Sequence, residues 1–236
     1  MNRSKQHGFS LVEIAIVLVI IGLLIGGILK GQEMINSAKV RGMADLSSGI
    51  ASAYFGFIDR FRRVPGDWSA SAATQAIGQS VSGGGDDNGR IDNDPAGGNA
   101  KFTEPNAMWE QLAAAGFLSG AYRGQAVPPN STNGQTPLNP FNQPVLMGRT
   151  PDYRDSGTAI VRLNLMLGRS VPVAIMREFD VKIDDGSPDT GVLRLAADVG
   201  AGAVFDSLGE SDPLCFASGE YGVASESQDC NSVFLY

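Results

Sequence analysis

The sequence predicts an α+β fold in which one long N-terminal helix packs on a small antiparallel sheet. Three observations carry this. Residues 11–29 form an almost unbroken apolar run, with Glu13 the one charge inside it. No proline interrupts the chain between Phe9 and Val64, so a helix can continue well past that run. Beyond it, short segments divided by Gly, Pro, Asn and Asp clusters read as strands, turns and short helices.

An apolar stretch of about 20 residues is long enough to cross a bilayer as a helix. A carboxylate inside such a stretch is costly in hydrocarbon and points to a function. A secretory signal has a shorter apolar region, about 7–15 residues, closed by small residues at a cleavage site. Here the run is longer and leads into Lys30-Gly31-Gln32-Glu33. Basic residues flank it on both sides, Arg3 and Lys5 before, Lys30, Lys39 and Arg41 after, so charge alone does not set its orientation. Gly22, Gly26, Gly27 and Gly31 each weaken a helix by about 1 kcal/mol relative to alanine. Gly22 and Gly26 also have the spacing that permits close helix contact. From Gln32 the pattern turns amphipathic: Met43, Leu46, Ile50, Tyr54, Phe57 and Phe61 recur at helical spacing as one apolar stripe. Arg60, Arg62 and Arg63 suit the negative end of the helix dipole, and Val64-Pro65-Gly66 ends it. A helix of about 55 residues is roughly 80 Å long.

Residues 66–104 read as a long loop rich in Gly, Ser, Asn and Asp. Within it Asp86, Asn88 and Asp92, with the Arg90 carbonyl, place oxygen ligands at alternate positions, as in the first half of a calcium loop. The glutamate and flanking helices of an EF-hand are missing, and an Asx-rich turn gives the same composition. The glycines at 83–85 lack the Gly-Lys-Ser/Thr that a phosphate-binding loop needs. Thr103 to Phe117 reads as a short helix, with Thr103 as its cap, Pro105 in its first turn and Trp109 packed beneath it. Prolines and Asn-Gly make residues 124–144 loop. Val145 to Met147 and Ala159 to Met166 read as strands, the second with Val161, Leu163 and Leu165 alternating against Arg162 and Asn164. Ser170 is placed to cap a helix starting at Val171-Pro172, with Ile175, Phe179 and Ile183 on one face. A turn at 184–188 leads to a strand from Gly191 to Ala196. Asp180, Asp184 and Asp189 form a second oxygen-rich group that helix exit and turn chemistry explain more simply.

The chain has 18 basic and 25 acidic side chains, a net charge of −7. Loss of the first eight residues takes Arg3 and Lys5 with it and makes the balance more negative. Such a surface disfavours nucleic acid as a partner. The lone histidine, His7, lies within those eight residues, which removes histidine-based triads and zinc sites from the remainder of the chain. No hydrolase, metalloprotease, nucleotide-binding or dinucleotide-binding signature occurs, and the chain reads as a non-enzyme. Cys215 and Cys230, the two cysteines, read as a disulfide in an exported domain, closing a loop that stabilises by about 3 kcal/mol.

Gly8-Phe9-Ser10-Leu11-Val12-Glu13, followed by apolar residues to Gly22, resembles the N-terminal signature of type IV pilins and type II secretion pseudopilins. The resemblance implies a leader at residues 1–8, a membrane and assembly segment at 9–31, and an exported domain at 32–236 that includes an amphipathic helix at 32–63. It implies cleavage after Gly8 by a prepilin peptidase, methylation of the new amino terminus at Phe9, and a role for Glu13 in meeting the terminal amine of a neighbouring subunit. The partners it implies are that peptidase, identical or related subunits in a helical fibre, and an inner-membrane assembly platform. The expected location is the bacterial inner membrane, in a single pass, before assembly, and a periplasmic to extracellular fibre after it. Calcium-stabilised loops are known among pseudopilins, so the resemblance raises Ca2+ without locating it. The tail from Cys215 to Tyr236 resembles the disulfide-bounded C-terminal region of many type IV pilins. The functional expectation is a pilin, with a lean to a minor pilin; a secretion pseudopilin and a pilus-tip binding module are the alternatives.

Overall fold

A computed structural model of the chain describes residues 11–92, 101–197 and 208–236. Gly8 and Phe9 lie outside the described residues. The chain divides into two compact units, 1–39 and 40–236. Helix α1, Leu11–Phe61, contributes to both.

In the first unit α1 keeps its apolar side chains exposed throughout the run from Leu11 to Leu29. Burial begins at Val40 and continues through Met43, Ser47, Ile50, Ala53, Tyr54 and Phe57. That is the stripe expected from the spacing, with Leu46 and Phe61 half-buried at its edges. The helix stops at Phe61, two residues short of the expected Arg63, because Arg62 takes a left-handed conformation, φ +57°. Its N–H still reaches the Ile58 carbonyl at 2.8 Å.

The expected loop at 66–104 contains a helix, α2, at Ala70–Ile77. Its alanines have the highest helix propensity, and Gly78, φ +81°, closes it by donating to the Thr74 carbonyl. Helix α3 spans Thr103–Ala114. Thr103 is its first residue and not its cap; Phe102 holds the cap position without a side-chain bond. Met108, Trp109 and Leu112 are fully buried. Gly66 has φ +91°, and a side chain there would meet the Glu104 carbonyl at 2.5 Å, so only glycine lets the end of α1 pass this close to α3.

The sheet is antiparallel, with β1 at Leu146–Thr150, β2 at Arg162–Met166, β3 at Leu193–Leu195 and β6 at Ser232–Leu235, in the order β1-β2-β6-β3. Leu163, Leu165, Leu193, Leu195 and Phe234 share one apolar cluster with the α1 stripe and the buried residues of α3. Leu146, Met166, Val233 and Leu235 form a second cluster with Tyr153 and Ala196. With apolar clusters on both faces, the expected alternation along β2 fails. Asn164 is buried and donates from Nδ2 to the Thr150 carbonyl at 2.6 Å, while Val161 lies before the strand and is 54 % exposed.

Helix α4 spans Val173–Ile183, with Pro172 at its cap position. Ser170 does not cap it: Ser170 sits at φ +62°, and its N–H donates to Asp229 Oδ1. Ile175 and Phe179 are buried as expected, whereas Ile183, at the last position, is 40 % exposed. Cys215 and Cys230 are joined by a disulfide. Between them lies a tight hairpin, β4 at Phe216–Ala217 and β5 at Glu220–Tyr221.

Candidate functional site

Two regions carry more than packing. The first is the exposed part of α1. Leu11 and Leu23 are 86 % and 73 % exposed, and their apolar neighbours as far as Leu29 are exposed with them. A folded protein in water rarely leaves a contiguous apolar patch larger than a few hundred Å². A helix with apolar side chains all round belongs in lipid or against other apolar helices. Among the described residues, α1 is the one helix long and apolar enough to cross a bilayer. Glu13 sits in its first turn. Gly22, Gly26, Gly27 and Gly31 have open space where a side chain would stand. A Lys30–Glu33 pair at 2.7 Å marks the polar edge of the run.

The second region is the loop 82–92, tied down by carboxylates from outside it. Asp67 accepts from the N–H of Asn88 and of Gly89, each at 2.9 Å. Glu104, in the first turn of α3, accepts from Asp86 N–H at 3.3 Å and Asp92 N–H at 2.6 Å. Glu110 receives the N–H groups of Ser82, Gly83 and Gly124. Gln111 accepts from Gly66 N–H and donates to the carbonyls of Trp68 and Gly83. Four side chains thus fix a loop whose glycines cannot fix themselves.

Of the three residues expected to offer calcium ligands, Asp86 lies within 4.8 Å of the carboxylates of Asp67 and Glu104. Asn88 turns its amide to Asp92 at 3.2 Å and accepts Arg90 N–H on its oxygen. Asp92 also holds the Arg90 guanidinium at 3.0 Å. All four oxygens of Asp67 and Glu104 are used by loop N–H groups, so the visible work of this cluster is loop fixation. The second acidic group is Asp180, Asp184 and Asp185, not the expected Asp189, which instead accepts from Ser187 Oγ. Asp180 is fully buried and accepts from the Tyr221 hydroxyl at 2.6 Å and from Gly186 N–H at 3.1 Å. Burial pushes its carboxyl up to about 6.

Burial, aided by the charges of Asp67 and Asp86, pushes the Glu104 carboxyl up to about 7, against the pull of its two N–H donors. A carboxyl whose folded value is raised stabilises the fold most below its unfolded value, near 4.5, and loses that contribution as pH climbs through the folded value. The melting temperature should therefore fall between pH 5 and pH 8 more steeply in the wild type than in Glu104→Gln, which keeps a neutral side chain. Equal slopes in thermal melts would contradict this.

Composition placed Asp86, Asn88 and Asp92 in one loop but missed the clamp on it. Asp67, Glu104, Glu110 and Gln111 come from outside the loop, and no short spacing announces contacts made by the fold.

Residues 3–29 match the model of the prokaryotic N-terminal methylation motif, the signature of type IV pilins and pseudopilins. No curated protein and no solved structure matches the chain. The motif and the one long apolar helix fit a membrane-anchored precursor of pilin type. The motif implies processing by a prepilin peptidase, assembly with other pilins, and a structural rather than enzymatic role.

Proposed function

We propose that the chain is a subunit of a type IV pilus-like fibre, cut after Gly8, methylated at Phe9, held in the inner membrane by α1 and then polymerised through that helix. One observation carries the reading: the methylation motif is continuous with a helix whose apolar side chains are exposed from Leu11 to Leu29. Lipid covers that surface before assembly, and equivalent helices of neighbouring subunits cover it afterwards. Burial at about 25 cal/mol per Å² of apolar surface drives neither state over the other by much, because both are apolar. Packing and Glu13 decide the difference. Glu13 lies near the start of the run, where it can reach the interface in a bilayer. In a fibre it meets a neighbour's amine, and the pair fixes axial register. The same signature serves secretion pseudopilins; the Cys215–Cys230 loop favours the pilus. Fractionation tests the reading. The chain should be found in fibres sheared from cells that contain the peptidase, and in the membrane fraction of cells that lack it. Its absence from sheared material in peptidase-bearing cells would contradict the proposal.

A further inference from the structure

The loop from Pro128 to Gly134 stands on a buried base and ends in an exposed tip. At the base, Asn106 of α3 donates from Nδ2 to the carbonyls of Gln125 at 2.6 Å and Val127 at 2.8 Å, and Pro129 and Gln135 are buried. Asn130, Ser131 and Thr132 are exposed. Asn130 and Asn133 clamp each other: Asn130 N–H donates to Asn133 Oδ1 at 3.1 Å, and Asn133 N–H donates to Asn130 Oδ1 at 3.0 Å. Thr132 brings two more donors to Asn130 Oδ1, its N–H and its hydroxyl, each at 2.9 Å. Three donors converging on one atom identify it as the amide oxygen and hold the side chain in one orientation. Asn130 Nδ2 is left without a hydrogen bond among the described residues. Asn133 differs in this respect: its Nδ2 donates to the Pro128 carbonyl at 2.9 Å.

Asn130-Ser131-Thr132 is the Asn-X-Ser/Thr acceptor pattern for N-linked sugar. Two such triplets occur in the chain, and the other, Asn2-Arg3-Ser4, lies within residues 1–8. The triplet by itself is a weak signal. Here it coincides with an exposed loop tip and an unengaged amide nitrogen held in a fixed place. We propose that Asn130 is an N-glycosylation site, modified by a glycosyltransferase that uses a sugar activated through phosphate. In the reaction Nδ2 bonds to the anomeric carbon of the sugar. The anomeric C–O bond breaks, and its electron pair leaves with the phosphate. One Nδ2 proton passes to a base on the transferase. An amide nitrogen is a weak nucleophile, because its lone pair is shared with the carbonyl. Hydrogen bonds donated to Oδ1 make the N–H groups more acidic, which eases loss of the proton as the new bond forms. Thr132 supplies two of the three bonds on Oδ1, so it acts as a positioning residue. The site stands apart from the fibre reading and depends on none of its steps.

The test takes the full chain from its own cells, digests it and maps the peptides by mass spectrometry. The peptide that contains Asn130 should carry sugar. A single hexose would mark a nucleotide-sugar donor and a fixed oligosaccharide a lipid-linked one; either supports the proposal. Asn130→Asp keeps an acceptor oxygen for all three donors but has no nitrogen to give. It should melt with the wild type and carry no sugar on that peptide. Thr132→Ala should lower occupancy about tenfold, the rate equivalent of one hydrogen bond. Thr132→Ser, which keeps a hydroxyl, should return it to near the wild-type level. A bare Asn130 in the wild-type chain would overturn the proposal and leave the fibre reading intact. Sugar retained on the Asn130→Asp peptide would also overturn it, because the attachment would then be to Ser131 or Thr132. Undiminished occupancy in Thr132→Ala would overturn the positioning role.

Discussion

Glu13→Ala should stay in the membrane and be depleted from fibres by tenfold or more. The side chain lies in the first turn of α1 within a run of exposed apolar residues. In a bilayer that position is close to an interface, so alanine removes a cost and insertion does not suffer. Between packed helices the situation reverses. A buried pair that loses one partner costs about 3–5 kcal/mol, because the remaining charge has nothing to meet. On the proposed pairing, the charge left behind in Glu13→Ala is the neighbour's amine. Glu13→Gln keeps the shape and a hydrogen-bonding group without the charge, and should be impaired to a smaller degree. Immunoblots of sheared and membrane fractions read both. Wild-type incorporation by Glu13→Ala would remove the register role.

Replacing Cys215 and Cys230 together with serine should lower the stability of the second unit by about 3 kcal/mol, for a closed loop of this size. For a unit of this size that corresponds to a loss of roughly 6–12 °C in melting temperature. The physical path is short. The bridge spans 15 residues and encloses the β4–β5 hairpin, which delivers Tyr221 to the buried carboxyl of Asp180. Cys230 N–H donates to the Val171 carbonyl at 2.9 Å, next to α4. Two residues on, the chain enters β6, which lies between β2 and β3. Releasing the bridge therefore loosens a strand in the middle of the sheet and the contact that seats α4. Thermal melts of the solubilised chain measure the effect, and an unchanged midpoint would contradict it.

The long helix and its buried stripe were legible because a 3.6-residue period survives any tertiary context. The end of α1 was not, since a left-handed Arg62 leaves no trace in composition. Helix α2 was hidden by its flanks: glycines and aspartates on both sides outweigh eight residues of good helix formers in a coarse reading. Asn164 broke the pattern in β2 because that strand is covered on both faces, and alternation reports a sheet with one wet face. Thr103 and Ser170 were read as caps from residue type alone, whereas the chain enters α3 and α4 from Phe102 and Pro172 without a side-chain bond. At the candidate site the exposed apolar run and Glu13 could be read directly. The carboxylate clamp around residues 82–92 could not, since its members meet only after α1, α2 and α3 are in place.

The mass of the mature amino terminus bears most directly on how this chain is made and used. Material recovered from the cell surface should yield an N-terminal peptide that begins with methylated Phe9. A peptide that still carries Met1 through Gly8, from cells with an active peptidase, would mean that the helix never leaves the bilayer to join its copies.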